Sequence, residues 1–144
     1  MVMLQKLYEF NVPIEELVHI YILFIRSLVE YCCAVWHSSL REEDSSSIER
    51  IQKIALRMIL KENYSDYPSA LYLTGLETLK LRRTQLSLSF AKKCLKSDRM
   101  SDLFPLNEKI VNTRPHEKYY VTPAKTERLA KSTVPYLQRL LNQQ

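Results

Sequence analysis

Gly75 is the only glycine in 144 residues. A chain this poor in glycine has few places for the tight turns and positive-φ corners that β-sandwiches and phosphate-binding loops need. Long helices joined by few turns suit it better. Its length is that of one domain, able to bury roughly 68–70% of its unfolded surface. Hydrophobic residues make up 46% of it, enough for the chain to fold rather than stay disordered. The expected fold is all-α or mainly α, an irregular bundle of about four to six helices. A helical part is expected over 1–100, with an extended Pro-containing segment and a C-terminal helix over 101–144.

Charge divides unevenly along the chain. Residues 1–49 hold three basic and eight acidic residues, a balance of −5, whereas residues 50–144 hold eighteen basic and eight acidic, a balance of +10. Positive charge concentrated in one segment is the electrostatic footprint of a polyanion-binding protein, and equally of a solvated lysine-rich surface. Three cysteines (Cys32, Cys33 and Cys94), an odd count with no CxxC pair, suit a reduced intracellular chain, nuclear or cytoplasmic. The residues after Met1 (Val2-Met3-Leu4-Gln5-Lys6) do not read as a secretory signal. Leu17 to Trp36 has membrane-spanning length, but Arg26 and Glu30 sit in its middle, where a bilayer penalises charge. A buried helix is expected there, and no membrane partner.

Pro13, followed by Glu15 and Glu16, starts a helix running from about residue 14 to Ser38. Its polar exceptions, His19, Arg26, Glu30 and His37, fall on one narrow stripe. This makes it a core element with a single polar seam. A second helix is expected from about Ser47 to Lys61. Ile48, Ile51, Ala55, Met58 and Ile59 form its apolar face, and Arg50, Lys53, Arg57 and Lys61 a separate basic stripe. Pro68 opens a short helix that Gly75 ends as a C′ glycine. A third long helix covers about Glu77 to Ser97, with Arg82, Lys92, Lys93 and Lys96 away from its apolar face and Arg83 nearer to it, where partial burial and pairing are expected. Pro105, Pro115 and Pro123 break up the following stretch, in which Tyr119–Thr122 suits a short strand. A last helix is expected over Thr126–Asn142, interrupted at Pro135.

Recognisable catalytic patterns are missing. His19, His37 and His116 are far apart, and Cys33 with His37 supplies only two ligands, too few for zinc. Asp44, Asp66, Asp98 and Asp102 are not clustered as two-metal nucleotidyl transfer requires. One glycine permits neither GxGxxG nor a P-loop. No enzyme activity, metal or cofactor is expected. What remains is the basic stripe, whose cations would project at intervals of about 5–6 Å and suit successive phosphates of a duplex backbone.

Several blocks bear on one family. Ile20 to Tyr31 followed by Val35-Trp36-His37-Ser38 is similar to a block found after the polymerase core of non-LTR (LINE-type, jockey-like) retrotransposon reverse transcriptases. Ile48-Glu49-Arg50-Ile51-Gln52-Lys53 with Ala55, Leu56 and Arg57 resembles the next block. Leu73 to Leu79 with Arg82-Arg83 resembles the third. The tail also fits, through Asn112-Thr113-Arg114, Tyr119, Pro123, Lys125-Thr126-Glu127-Arg128 and Ser132 to Tyr136. The resemblance covers nearly the whole chain in the family's order. It implies the thumb and downstream extension of an RNA-directed DNA polymerase from a transposable element, gripping template–primer through its backbone. The palm and its metal-binding aspartates would lie before residue 1.

On that footing Arg50, Lys53, Arg57, Lys61, Arg82, Arg83, Lys92 and Lys93 are the expected nucleic-acid contacts, and Tyr31 and Trp36 are expected in the core. Leu, Ile and Tyr residues of the first long helix are candidates for an exposed palm-facing surface through which the chain self-associates. The alternatives are a helical protein-interaction domain and a decayed fragment without selected activity.

Overall fold

The computed structural model describes residues 2–107 and 118–144, and over these the protein is built of helices, with no strand longer than an isolated bridge. The expected all-α irregular bundle is what forms. The chain divides into two compact units: Met1–Tyr31 with Arg41–Arg82, and Cys32–Leu40 with Arg83–Gln144. Residues 32–40 thus group with 83–144.

The first unit packs α1 (Val2–Glu9), α2 (Ile14–Ile20), α5 (Glu42–Leu60) and α6 (Tyr67–Thr74) around Leu4, Leu17, Tyr21, Ala55, Leu56 and Ile59. The long helix expected over 14–38 is not one helix. After α2 comes a π-helical segment, Tyr21–Arg26, then α3 (Ser27–Glu30), a break at Cys32 with φ +50°, and α4 (Cys33–Trp36). The π segment explains which side chains face inward. Leu17, Tyr21, Phe24, Leu28 and Tyr31 are spaced four, three, four and three apart, and an unbroken α-helix would bury them together. A π turn takes up more residues and slips that register. Leu17 and Tyr21 are therefore fully buried, whereas Phe24, Leu28 and Tyr31 are 59%, 77% and 75% exposed. Arg26 and Glu30, expected on the polar seam, turn inward instead, and their side chains are largely covered. Tyr31, expected in the core, lies on the surface. Ile14–Ser39 passes for a membrane-crossing stretch by length and composition, and little of it is buried, contrary to the expected core helix.

Helix α5 begins five residues earlier than expected, with Glu42, Glu43 and Asp44 at its positive end. Its buried side is rotated from the expected one. Gln52, Ala55, Leu56, Ile59 and Leu60 are inside, and Ile48, Ile51 and Met58 are half-buried. Helix α6 starts at an Asp66 N-cap, whose carboxylate accepts from the Ser69 amide at 3.3 Å. It ends at Gly75 with φ +64°, where the Leu76 amide reaches back to the Leu71 carbonyl, the expected glycine C-cap.

The second unit gathers α4, the later part of α7 (Leu79–Leu95), α8 (Glu127–Ala130) and α9 (Thr133–Asn142). Ala91, Cys94, Phe104, Leu137, Leu140 and Leu141 form its core. The last helix breaks at Lys131–Ser132, not at Pro135, which sits in the first turn of α9 where its missing N–H costs nothing. Among the described residues Tyr119–Thr122 forms no strand, and Tyr119 makes an isolated antiparallel bridge with Leu106. Side-chain amides of α9 complete its pairing. Asn142 exchanges two hydrogen bonds with the Tyr119 backbone, both at 2.9 Å, and Gln138 accepts from the Thr122 amide at 2.8 Å.

Candidate nucleic-acid interface

The basic stripe is carried by α5 because its opposite side is apolar and buried. Arg50, Lys53 and Arg57 project from that helix and are exposed. Lys61 is exposed too, but it is not helical: at φ +42° and ψ −106° it ends α5 and begins the 3-10 turn Lys61–Asn63. The fourth step of the stripe thus leaves the helix axis. None of the four forms an ion pair with another described residue. Arg57 and Lys61 line one groove of about 430 Å³ whose walls include Gln5, Ile54 and Met58.

Three of the four cations rest on tyrosine rings. The Lys53 ammonium lies 5.0 Å from the ring centroid of Tyr67, the Arg57 guanidinium 5.3 Å from that of Tyr64, and the Lys61 ammonium 3.6 Å from that of Tyr8. Each falls within the range over which a ring quadrupole attracts a cation. The tyrosines come from α1, the turn after α5 and the first residue of α6. No local spacing announces this arrangement; only the abundance of tyrosine, nine in the chain, points towards it.

Tyr67 is itself held. Its hydroxyl donates to Glu49, and the Gln52 side-chain amide donates to the same oxygen at 3.0 Å. Burial, reinforced by the Glu49 carboxylate, pushes the Tyr67 phenol well above its ordinary range. Glu49 also accepts from the Leu79 and Lys80 amides at 3.1 and 3.2 Å, closing the N-terminus of α7. Gln52 accepts from Tyr21 at 2.7 Å and donates to the Glu77 carbonyl at 2.8 Å. Glu49 and Gln52 thus face inward from α5 and fix the Tyr67 hydroxyl, Tyr21 and the start of α7. Charge at a helix start suggests Glu49 as support for the first turn of α5, but α5 begins at Glu42 and Glu49 reaches across to α6 and α7 instead.

The remaining expected contacts separate. Arg82 lies 3.5 Å from the Glu30 carboxylate, which also pairs with Arg26 at 3.4 Å, so its charge is engaged within the protein. Arg83 is fully buried and therefore inaccessible to a ligand, a correction to its expected role. Its Nε–H donates to His37 Nδ1 at 3.3 Å, and its guanidinium lies 6.0 Å from the Trp36 ring centroid. The physical reason is its position on the inner side of α7, one helical turn before the buried Ser87. Trp36 itself is half-buried. Lys92 and Lys93 are exposed, and Lys92 lines a separate concavity of about 440 Å³ with Lys118, Tyr119 and Asn142.

Among the described residues no three metal-ligating side chains converge. No protein-family model matches the chain, and neither a curated protein nor a solved structure matches it.

Proposed function

We propose that this protein is a noncatalytic nucleic-acid-binding module. It would hold the backbone of an RNA–DNA or DNA duplex on the basic face of α5, as the thumb region of a non-LTR retrotransposon reverse transcriptase would hold template–primer. The observation that carries the reading is the exposure of Arg50, Lys53, Arg57 and Lys61 without an ion-pair partner among the described residues. Cations left unneutralised on one face of a helix and its C-terminal turn attract a polyanion, and phosphate contacts fix register without reading sequence. Lys92 and Lys93 are secondary contacts in this reading.

A salt titration of binding to a fluorescent mixed-sequence RNA–DNA hybrid tests it. Four neutralised phosphates give a log–log slope of about −3.6. Reversing Arg50, Lys53 and Arg57 to Glu should abolish most of the affinity; unchanged binding by that variant would overturn the assignment.

A second reading has its own support in the exposed apolar row of Phe24, Leu28 and Tyr31. Such a row on a helix suits contact with another protein or a second copy of this chain. It leads to salt-insensitive association, measurable by sedimentation, that charge reversal on α5 leaves intact.

A further inference from the structure

We infer that Tyr8, Tyr64 and Tyr67 are positioning residues for polyanion binding, each holding one cation of α5 or its C-terminal turn at a set place before the ligand arrives. The inference rests on the reading of that face as the nucleic-acid interface, and goes beyond it in assigning a role to uncharged residues.

Lysine and arginine side chains are long, and fixing one at an interface sacrifices rotamer freedom, which weakens binding. Lys53, Arg57 and Lys61 meet that cost in advance, because each charged head already lies over an aromatic ring. A ring uses no hydrogen-bond donor of the cation with the strength an acceptor would. The three ammonium donors and the guanidinium fork therefore remain available to phosphate oxygens. A carboxylate at the same place would order the side chain equally well but cancel its charge. A tyrosine orders it and leaves the charge in place.

The seats are anchored independently. Tyr8 belongs to α1, and all three tyrosines pack against the first unit's core. Tyr67 is further fixed through its hydroxyl to Glu49. Lys61 and Lys53, whose rings belong to α1 and α6, thus inherit the rigidity of an element other than their own. Arg57 and Lys61, seated on Tyr64 and Tyr8, face one groove. Arg50, for which no ring contact is seen among the described residues, serves as the internal comparison.

A double-mutant cycle on the full chain provides the test, with a fluorescent mixed-sequence RNA–DNA hybrid as the probe. Tyr64→Leu and Tyr8→Leu should each weaken binding about three- to five-fold, the size of an exposed cation–ring contact expressed as affinity. The salt slope should stay the same, because no charge is lost. Tyr64→Phe and Tyr8→Phe should restore affinity, since the ring and not the hydroxyl makes the seat. Arg57→Gln and Lys61→Gln should each lower affinity and flatten the slope by about 0.9.

In the Arg57→Gln background, Tyr64→Leu should have no further effect. A merely structural tyrosine would instead weaken binding equally in both backgrounds. Additive losses, or full affinity in the Leu variants, would overturn the inference while leaving the interface reading intact. Unchanged affinity and slope in Arg57→Gln and Lys61→Gln would overturn both. If a Leu variant unfolds, the Phe variant still decides the matter: loss of affinity in a folded Tyr64→Phe protein contradicts a ring-based seat.

Discussion

Arg83 donates its Nε–H to His37 Nδ1 at 3.3 Å, and that contact sets the imidazole's tautomer. The guanidinium has donors only, so Nδ1 must be the unprotonated nitrogen. The proton of the neutral ring then sits on Nε2, where it donates to Thr84 Oγ1 at 3.2 Å. An arginine whose residue type suggested a phosphate contact instead helps to organise the second unit. Arg83→Met should lower stability by about 3 kcal/mol, the upper end of ordinary single-substitution effects. The salt slope of duplex binding should not change. Urea unfolding and a salt titration of the same variant check both halves of the statement; a slope reduced by one contact in a folded variant would return Arg83 to the interface.

Glu49 joins α5 to the start of α7 by accepting two backbone amides and the Tyr67 hydroxyl. Glu49→Ala leaves all three donors without this acceptor. The expected cost is about 2 kcal/mol, given roughly 1 kcal/mol for a lost helix cap and as much again for a half-buried hydroxyl deprived of its acceptor. A urea midpoint equal to that of the unaltered protein would show that the carboxylate contributes nothing.

Tyr21 supplies a pH dependence with a definite sign. Burial raises its phenol above the ordinary tyrosine value, and its hydroxyl donates to Gln52. The folded state favours the neutral form. The contribution is therefore complete below about pH 10, where an unfolded tyrosine begins to ionise, and is lost as pH rises beyond it. Tyr21→Phe should cost about 1–2 kcal/mol at pH 7, because Gln52 loses a donor. Above pH 10 the gap between variant and unaltered protein should narrow. Chemical denaturation at a series of alkaline pH values measures it, and a constant gap would contradict the assignment.

Phe24 and Leu28 test the register slip in the π segment. On an unbroken helix with Leu17 and Tyr21 inside, a charge at position 28 would be a core substitution costing several kcal/mol. At 77% exposure, Leu28→Lys should change stability by no more than about 0.5 kcal/mol. Phe24→Lys, at 59% exposure, should behave similarly. Thermal unfolding of the two variants distinguishes the alternatives. If the chain self-associates through this row, sedimentation should also show the variants shifted towards monomer.

Helix existence, the glycine stop at Gly75 and the amphipathic split of α5 were legible in the residues themselves. Each depends on groups within about one turn of one another, such as a positive-φ corner or alternating faces. The exposure of Arg50, Lys53 and Arg57 followed from the same local pattern. Tertiary packing decided the rest. It rotated the buried side of α5 towards Gln52 and Leu56, slipped the register after Tyr21, gave Arg83, already near the apolar face of its helix, His37 as a partner, and brought Tyr8 beneath Lys61. Periodicity assigns side chains to faces of an ideal helix, but which face is buried, and which distant ring lies under which cation, depends on how the elements meet.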